Sequence, residues 1–236
     1  MVIGLTRIRN ESEIISNTLD HMATFCDKVI VYDDCSTDNT VDICNNHHIV
    51  DHVIKGESWD KNRAQAEFEN RHQLWLHARK ILGDDDWFVY MDADEVLEFD
   101  WSTLNNKQDA IRMRLYDFYI TEEDKDKLYL DREYMGPEYR DILFIFRMGA
   151  TTGYHWLDQR ECSLSSDNIT DLGFVKHFGK SISIEQWEDT CEYYATHFPM
   201  YSSKWDARRG KAIHTESDFG RPLIKWADRF TKGVKL

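Results

Sequence analysis

The sequence predicts an α/β protein with a Rossmann-like, mainly parallel central sheet flanked by helices. Short apolar runs alternate with amphipathic helical patterns through four rounds, which is typical of parallel sheets covered by helices. Polar clusters follow the first, second and fourth apolar runs, where ligands bind in such sheets. Hydrophobic residues make up 42% of the 236 residues, enough for a substantial core.

Periodicity and boundary residues define the elements of the first 100 residues. Asn10 is predicted to cap the first helix, with Glu13 completing a capping box. The polar residues 36–40 are predicted to cap the second helix. In order, we predict strand 2–5, helix 11–26, strand 29–32, a helix ending near 47, strand 50–54, helix 61–82 and strand 87–91.

The pattern is weaker in the C-terminal part. Strands are predicted at 110–119, 142–148 and 174–178, with an acidic loop at 122–126, and a helix is predicted at 184–197. We predict a first domain at 1–180 and a helical C-terminal extension at 181–236, with one continuous domain as the alternative. The basic and aromatic tail at 221–236 would contact a membrane surface or a partner, or form a final helix packed on the core, which we favour.

Composition excludes some classes of protein. The formal net charge of −14 argues against binding duplex nucleic acid, which requires a basic face. An anionic nucleotide substrate would need a compensating cation, such as a divalent metal. The five cysteines form no CxxC pair and predict free thiols in a reducing, cytoplasmic setting. No apolar run approaches the roughly 18 residues of a membrane span, and no signal-peptide pattern precedes the first strand.

Two aspartates directly follow the fourth apolar run. Asp92 and Asp94 are separated by Ala93, and carboxylates at this spacing can lie near one Mg²⁺ or Mn²⁺ ion. Such pairs also occur by chance in solvated turns. Here residues 87–91 are apolar and Glu95 continues into a partly buried segment, so the pair is predicted to bind a metal.

A second acidic pair, Asp33 and Asp34, ends the second apolar run. An aspartate at a strand end can accept hydrogen bonds from a nucleobase or a ribose hydroxyl. Helix capping explains residues 36–38 but leaves this pair unexplained.

These segments resemble the family 2 glycosyltransferases of the GT-A fold. In that family an apolar strand ends in DDGSTDxT, a later strand ends in DADE, and the first loop often contains RNE. The corresponding segments here are DDCSTDNT (33–40), DADE (92–95) and RNE (9–11), and the resemblance covers about the first 100 residues. Cys35 replaces the family's glycine, which leaves the bound nucleotide open.

The resemblance implies an inverting, metal-dependent transfer from a nucleotide-sugar donor, with UDP the default nucleotide and Mn²⁺ or Mg²⁺ as cofactor. The acceptor would be a hydroxyl of a glycan, glycoprotein or glycolipid. Asp94 would bind the metal directly, and Asp92 would lie near ribose and metal. His177 and Lys180, in the segment HFGKS (177–181), which resembles a further element of related transferases, would bind metal and diphosphate. The other predicted donor-site residues are Thr6, Arg9, Asn10, Glu11, Asp33, Asp34, Ala93 and Arg71, with Arg63 the alternative to Arg71.

The resemblance also implies a carboxylate base that deprotonates the acceptor hydroxyl, located well after the DADE segment. Glu161 and Asp158 are the candidates, followed by His155. Two other functions remain open. One is a metal-dependent nucleotidyltransferase, although residues 6–11 lack the glycines of a phosphate loop; the other is a non-catalytic nucleotide- or carbohydrate-binding module.

Overall fold

The protein is described by a computed structural model that covers residues 1–59, 62–105, 107–155 and 160–236. It divides into two compact units. The first unit contains Met1–Met113 and Ile142–Gly173, and the second contains Arg114–Asp141 and Phe174–Leu236. These units do not divide at residue 180, and that domain boundary stays a prediction.

The helices and strands follow the predicted order. The helices are α1 (Ile15–Met22), α2 (Thr40–Asn46), α3 (Arg63–Arg79), α4 (Ile184–His197), α5 (Ser202–Asp206) and α6 (Arg229–Lys232). The strands are β1 (Val2–Ile8), β2 (Lys28–Asp33), β3 (Val50–Lys55), β4 (Trp87–Tyr90), β5 (Glu95–Glu98), β6 (Ala110–Phe118), β7 (Tyr134–Arg147), β8 (Thr151–Gly153), β9 (Ser163–Leu164), β10 (Ile169–His177), β11 (Ile224–Lys225) and β12 (Val234–Lys235).

The sheet of the first unit confirms the predicted α/β class. Its strands lie in the order β3-β2-β1-β4-β7. The pairs β1–β2, β2–β3 and β1–β4 are parallel, and β7 joins β4 antiparallel. Parallel neighbours need crossover connections, which α1, α2 and α3 provide.

The core of this unit lies between the sheet and α3. Leu5 on β1, Ile30 on β2 and Phe88 on β4 are fully buried and belong to one cluster with Leu74 and Ala78 of α3. The apolar runs read from the sequence are therefore the strands that helices cover, as expected for a parallel sheet.

The first helix begins later than predicted, and the capping prediction for Asn10 was wrong. α1 starts at Ile15, and no side chain among the described residues caps it. Asn10 instead has a φ of 55°, and its side-chain carbonyl accepts the backbone N–H of Thr37 at 2.8 Å. Asparagine tolerates this left-handed conformation better than most residues, so Asn10 joins two loops rather than opening a helix.

In the second unit, α4 confirms the predicted helix, and Ser183 caps it by accepting the Gln186 N–H at 3.0 Å. The prediction of a final helix at 221–236 was wrong. α6 has four residues, and β11 and β12 on either side of it pair with β7. An open strand edge offers backbone hydrogen bonds that a short isolated helix lacks.

The basic side chains of the tail pair with acids of the same unit. The ion pairs are Arg221–Glu138 at 3.4 Å, Lys225–Glu133 at 3.2 Å, Lys232–Asp228 at 2.8 Å and Lys235–Asp141 at 2.6 Å. Their positive charge is thereby partly compensated, which weakens the attraction to an anionic membrane surface. Within the described ranges, no helix has both the length and the apolar character needed to cross a bilayer.

Candidate functional site

Three loops converge at one edge of the first unit's sheet. β1 lies between β2 and β4, with Ile8 opposite Asp33 and Leu5 opposite Tyr90. Because these strands are parallel, the segments that follow them leave the sheet on the same side. The structure therefore brings together the predicted residues 6–11, 33–40 and 92–95.

Arg7 and Arg9 join the first loop to the second. Arg7 Nη1 forms an ion pair with Asp34 Oδ2 at 3.1 Å, and Asp34 is almost fully buried. Arg9 Nη1 donates to the backbone oxygens of Asp34 at 2.8 Å and Cys35 at 2.9 Å. The ion pair of Arg7 with Asp34 and the bonds from Arg9 to the two backbone oxygens hold the two loops together.

Backbone N–H groups of the first loop complete this connection. Glu11 donates its N–H to Thr40 Oγ1 at 2.8 Å.

Asp33 is 5% exposed, and its Oδ1 accepts the N–H of Ser36 at 3.0 Å. The Oγ1 of Thr6 is buried and has no hydrogen-bond partner among the described residues. The N–H of Ser36 thus occupies one oxygen of Asp33.

Cys35 has a φ of 62°, the left-handed region that favours glycine. The turn thus keeps the conformation that a glycine would adopt here, although the side chain has changed. Its Sγ lies 3.5 Å from the backbone oxygen of Gly56, a weak contact. Cys35 therefore introduces strain into the loop that carries Asp33.

We expect Cys35→Gly to stabilise the protein by about 0.5 kcal/mol. A non-glycine residue in this conformation costs about 1–2 kcal/mol, and the chain entropy of glycine offsets about 0.5–1 kcal/mol of that gain. Urea unfolding would measure the change. Cys44→Gly is the control, because Cys44 lies inside α2 and the same substitution should destabilise there. A lower midpoint for Cys35→Gly than for the wild type would contradict the strain argument.

The carboxylate of Asp92 is bonded to the protein on both oxygens. Oδ1 accepts the hydroxyl of Tyr90 at 2.8 Å, and Oδ2 accepts Arg160 Nη1 at 2.5 Å. Burial would raise the pKa of Asp92, but Arg160, Arg71 and other positive charges outweigh it and hold this pKa well below its usual value. Asp92 is therefore ionised at neutral pH.

Arg71 lies in this site but is bonded within the protein. Its Nε donates to Tyr90 Oη at 2.9 Å, and its Nη1 lies 3.6 Å from Glu67. It is 5% exposed. Arg71 therefore supports Asp92 through Tyr90, and its role toward a diphosphate stays a prediction.

Glu11 is influenced by the negative charges of the two DADE aspartates. Burial, followed by the negative charges of Asp94 and Asp92, raises the pKa of Glu11 well above its usual value. A divalent cation would relieve this repulsion, and oxygen ligands suit Mg²⁺ and Mn²⁺. In the described part of the chain, no three His, Cys, Asp or Glu side chains lie where they could hold a metal ion. Asp92 and Asp94 would therefore fit such an ion together with the phosphates of a donor, because Mg²⁺ commonly binds one or two carboxylates plus substrate phosphates. Ala93 is 5% exposed, and its carbonyl accepts Thr18 Oγ1 of α1.

His177 and Lys180 lie in the second unit, where both bind Asp117. His177 Nδ1 lies 2.6 Å from Asp117 Oδ1, and Lys180 Nζ lies 2.8 Å from Asp117 Oδ2 and 3.1 Å from Asp218. Burial opposes ionisation of Asp117, but Lys180 and then His177 lower its pKa well below the usual value. Their predicted roles toward metal and diphosphate stay predictions.

The candidate bases are only partly described. Glu161 Oε1 accepts the backbone N–H of Leu143 at 2.7 Å. His155 is exposed, and its Nε2 lies 3.4 Å from Thr152 Oγ1. Asp158 lies outside the described residues, as do its neighbours 156, 157 and 159. The position of the base stays a prediction.

Arg7, Tyr90 and Arg160, which make the contacts around Asp92 and Asp34, were not among the predicted site residues. Arg7 lies in the first loop, beside residues that were identified. Tyr90 precedes DADE but looked like an ordinary strand residue. Arg160 is distant in sequence, and only its neighbours Asp158 and Glu161 drew attention. No pattern in the sequence alone pairs Arg160 with Asp92.

Comparison with known proteins supports the predicted family. Residues 7–104 match the model of Glycosyl transferase family 2, which confirms the resemblance read from residues 9–11, 33–40 and 92–95. Uncharacterized proteins of Mycobacterium bovis and Mycobacterium tuberculosis are each 30% identical over 99 residues, or 42% of this chain. The match spans about a quarter (24%) of the length of each relative.

Solved structures show more distant likenesses. Glucosyl-3-phosphoglycerate synthase from Mycobacterium tuberculosis, in complex with Mn²⁺, UDP and glucosyl-3-phosphoglycerate, is 15% identical with a TM-score of 0.39, covering 83% of this chain and 79% of that one. Mannosyl-3-phosphoglycerate synthase from Rubrobacter xylanophilus is 17% identical with a TM-score of 0.31, covering 53% and 42%.

Proposed function

We propose that this chain, whose residues 7–104 match the model of Glycosyl transferase family 2, transfers a sugar from a nucleotide-sugar donor to an acceptor hydroxyl with the help of a divalent metal. The observation that carries the proposal is the convergence of the segments after β1, β2 and β4 at one edge of the sheet, which brings Asp33, Asp92 and Asp94 to that edge. An anionic donor would bind there only with a cation, since the protein itself has a net charge of −14.

Asp94, with Asp92 beside it, would hold Mn²⁺ or Mg²⁺, an ion that neutralises a diphosphate and stabilises the leaving nucleotide. Asp33 is proposed to bind the base or ribose. Mg²⁺ and Mn²⁺ commonly bind to one or two carboxylates together with substrate phosphates. UDP is the proposed nucleotide, as the family resemblance implies.

The transfer is proposed to be inverting. A carboxylate takes the proton of the acceptor hydroxyl, the oxygen forms the new bond to the anomeric carbon, and the bond to the nucleoside diphosphate breaks. Asp158 and Glu161 are the proposed bases. The acceptor is proposed to be a glycan, glycoprotein or glycolipid, and the cytoplasm is the proposed compartment.

Release of nucleoside diphosphate from a panel of nucleotide sugars would test this function. We expect release with Mn²⁺ from at least one donor, and none after the metal is chelated. Pyrophosphate as product would instead indicate a nucleotidyltransferase. Metal-dependent nucleotide binding without turnover of any donor would indicate a binding module.

A further inference from the structure

Arg160 connects both ends of the DADE turn. Its Nη1 bonds Asp92 Oδ2 at 2.5 Å, and its Nη2 bonds the two oxygens of Glu95 at 2.6 and 2.7 Å. Glu95 Oε2 in turn accepts the backbone N–H of Asp92 at 2.8 Å. Together these contacts form a ring that connects Asp92 and Glu95, the first and last residues of the DADE turn. Asp94 lies between these two residues in the sequence.

The ring depends on Arg160 because the carboxylate of Glu95 is both charged and buried. Glu95 is 1% exposed, and a buried carboxylate is costly without a positive partner. The Arg160 guanidinium lies 4.9 Å from the centre of the Phe144 ring, so it is itself packed in place. A lysine would supply the charge but not a planar group that bonds two carboxylates at once.

A similar ion pair at the opposite end of β4 provides a comparison. Arg147 Nε donates to Asp109 Oδ1 at 3.0 Å, and Arg147 lies opposite Trp87, the first residue of β4. The side chains of Arg147 and Arg160 are 24% and 22% exposed. Arg147 thus resembles Arg160 in burial and bonding but lies away from the DADE turn.

We propose that Arg160 is a positioning residue that holds the DADE turn in its donor-binding form by bridging Asp92 and Glu95. This inference rests on the proposed function, because it concerns the same site. Groups that orient metal ligands without touching the metal commonly contribute 10- to 100-fold to metal affinity. The contribution of Arg160 should therefore appear in metal-dependent nucleotide binding, beyond any effect on stability.

The experiment compares Arg160→Met, Arg160→Lys and the control Arg147→Met. Calorimetry would measure UDP affinity in the presence of Mn²⁺, and thermal unfolding would measure stability. We expect Arg160→Met to weaken UDP binding by about 10- to 100-fold and Arg160→Lys to weaken it less. Arg147→Met should lower the unfolding temperature while keeping UDP affinity within about twofold of the wild type.

If the wild type binds UDP and both Arg160 variants bind UDP with the same affinity as the wild type, the inference is wrong. A wild type that does not bind UDP with Mn²⁺ contradicts the proposed function instead. In that case Arg160 is tested by unfolding alone. Arg160→Met should lower the unfolding temperature less in an Asp92→Asn background than in the wild type, and equal shifts in both backgrounds would show that the bridge does not hold the turn.

Discussion

Asp94→Ala is expected to lower metal-dependent release of nucleoside diphosphate by about 100-fold or more. Asp94 is the acid of the DADE turn that the family resemblance assigns to direct metal binding, and its side chain is partly exposed. A catalytic metal contributes several kcal/mol to the stability of the transition state, and each 1.4 kcal/mol corresponds to about tenfold in rate.

The measurement is the initial rate of nucleoside diphosphate release with Mn²⁺, using the donor that the panel identifies. Asp171→Ala makes the same change of charge in the same unit at a side chain that is 71% exposed, and it should stay within about twofold of the wild type. A normal rate for Asp94→Ala would rule out Asp94 as the metal ligand.

Arg132→Met is expected to reduce the free energy of unfolding by about 3 kcal/mol or more. The side chains of Arg132 and Asp124 are 2% and 1% exposed and lie 3.7 Å apart. Arg132 Nε also donates to the backbone oxygen of Ser181 at 3.1 Å. Removing the guanidinium leaves a buried carboxylate without its positive partner, and this costs more than the ion pair itself contributes.

Urea unfolding of the whole protein would measure this loss in the free energy of unfolding. Lys127→Met is the matched control, since the Lys127–Glu133 pair lies close by in sequence but is 43% and 46% exposed. Such exposed pairs contribute about 1 kcal/mol or less. Combining Arg132→Met with Asp124→Asn should recover part of the loss, because asparagine carries no charge and its side-chain oxygen can still accept the N–H of Thr121. Equal losses for Arg132→Met and Lys127→Met would contradict this account.

The interior of the acidic loop was not predictable from its composition. Residues 122–126 read as a solvated acidic stretch, yet Asp124 lies inside it as a buried acceptor for the N–H and Oγ1 of Thr121 at 2.9 and 3.0 Å. Arg132 follows eight residues later, with no periodic relation to Asp124. The pairing of Arg132 with Asp124 can therefore be identified only from the folded structure.

The donor half of the candidate site was predictable because its signals are local. Strands of about five apolar residues followed by acids indicate both the sheet and the edge at which ligands bind. Asp33, Asp92 and Asp94 were identified as candidate site residues in this way, and the parallel register of β1 with β2 and β4 brings their loops to one edge. The left-handed conformation of Cys35 could not be read from its identity, since cysteine rarely adopts it.

The sequence by itself determined the α/β class, the order of the elements and the acidic residues at the strand ends, because hydrophobic periodicity and strand-end motifs depend on neighbours along the chain. Only the tertiary structure decided which charges compensate those acids. Arg160 reaches Asp92 from 68 positions away, and the tail pairs with β7 as strands rather than packing as a helix. Both outcomes depend on which groups burial brings together, and charge pairing at such separations leaves no periodic pattern in the sequence.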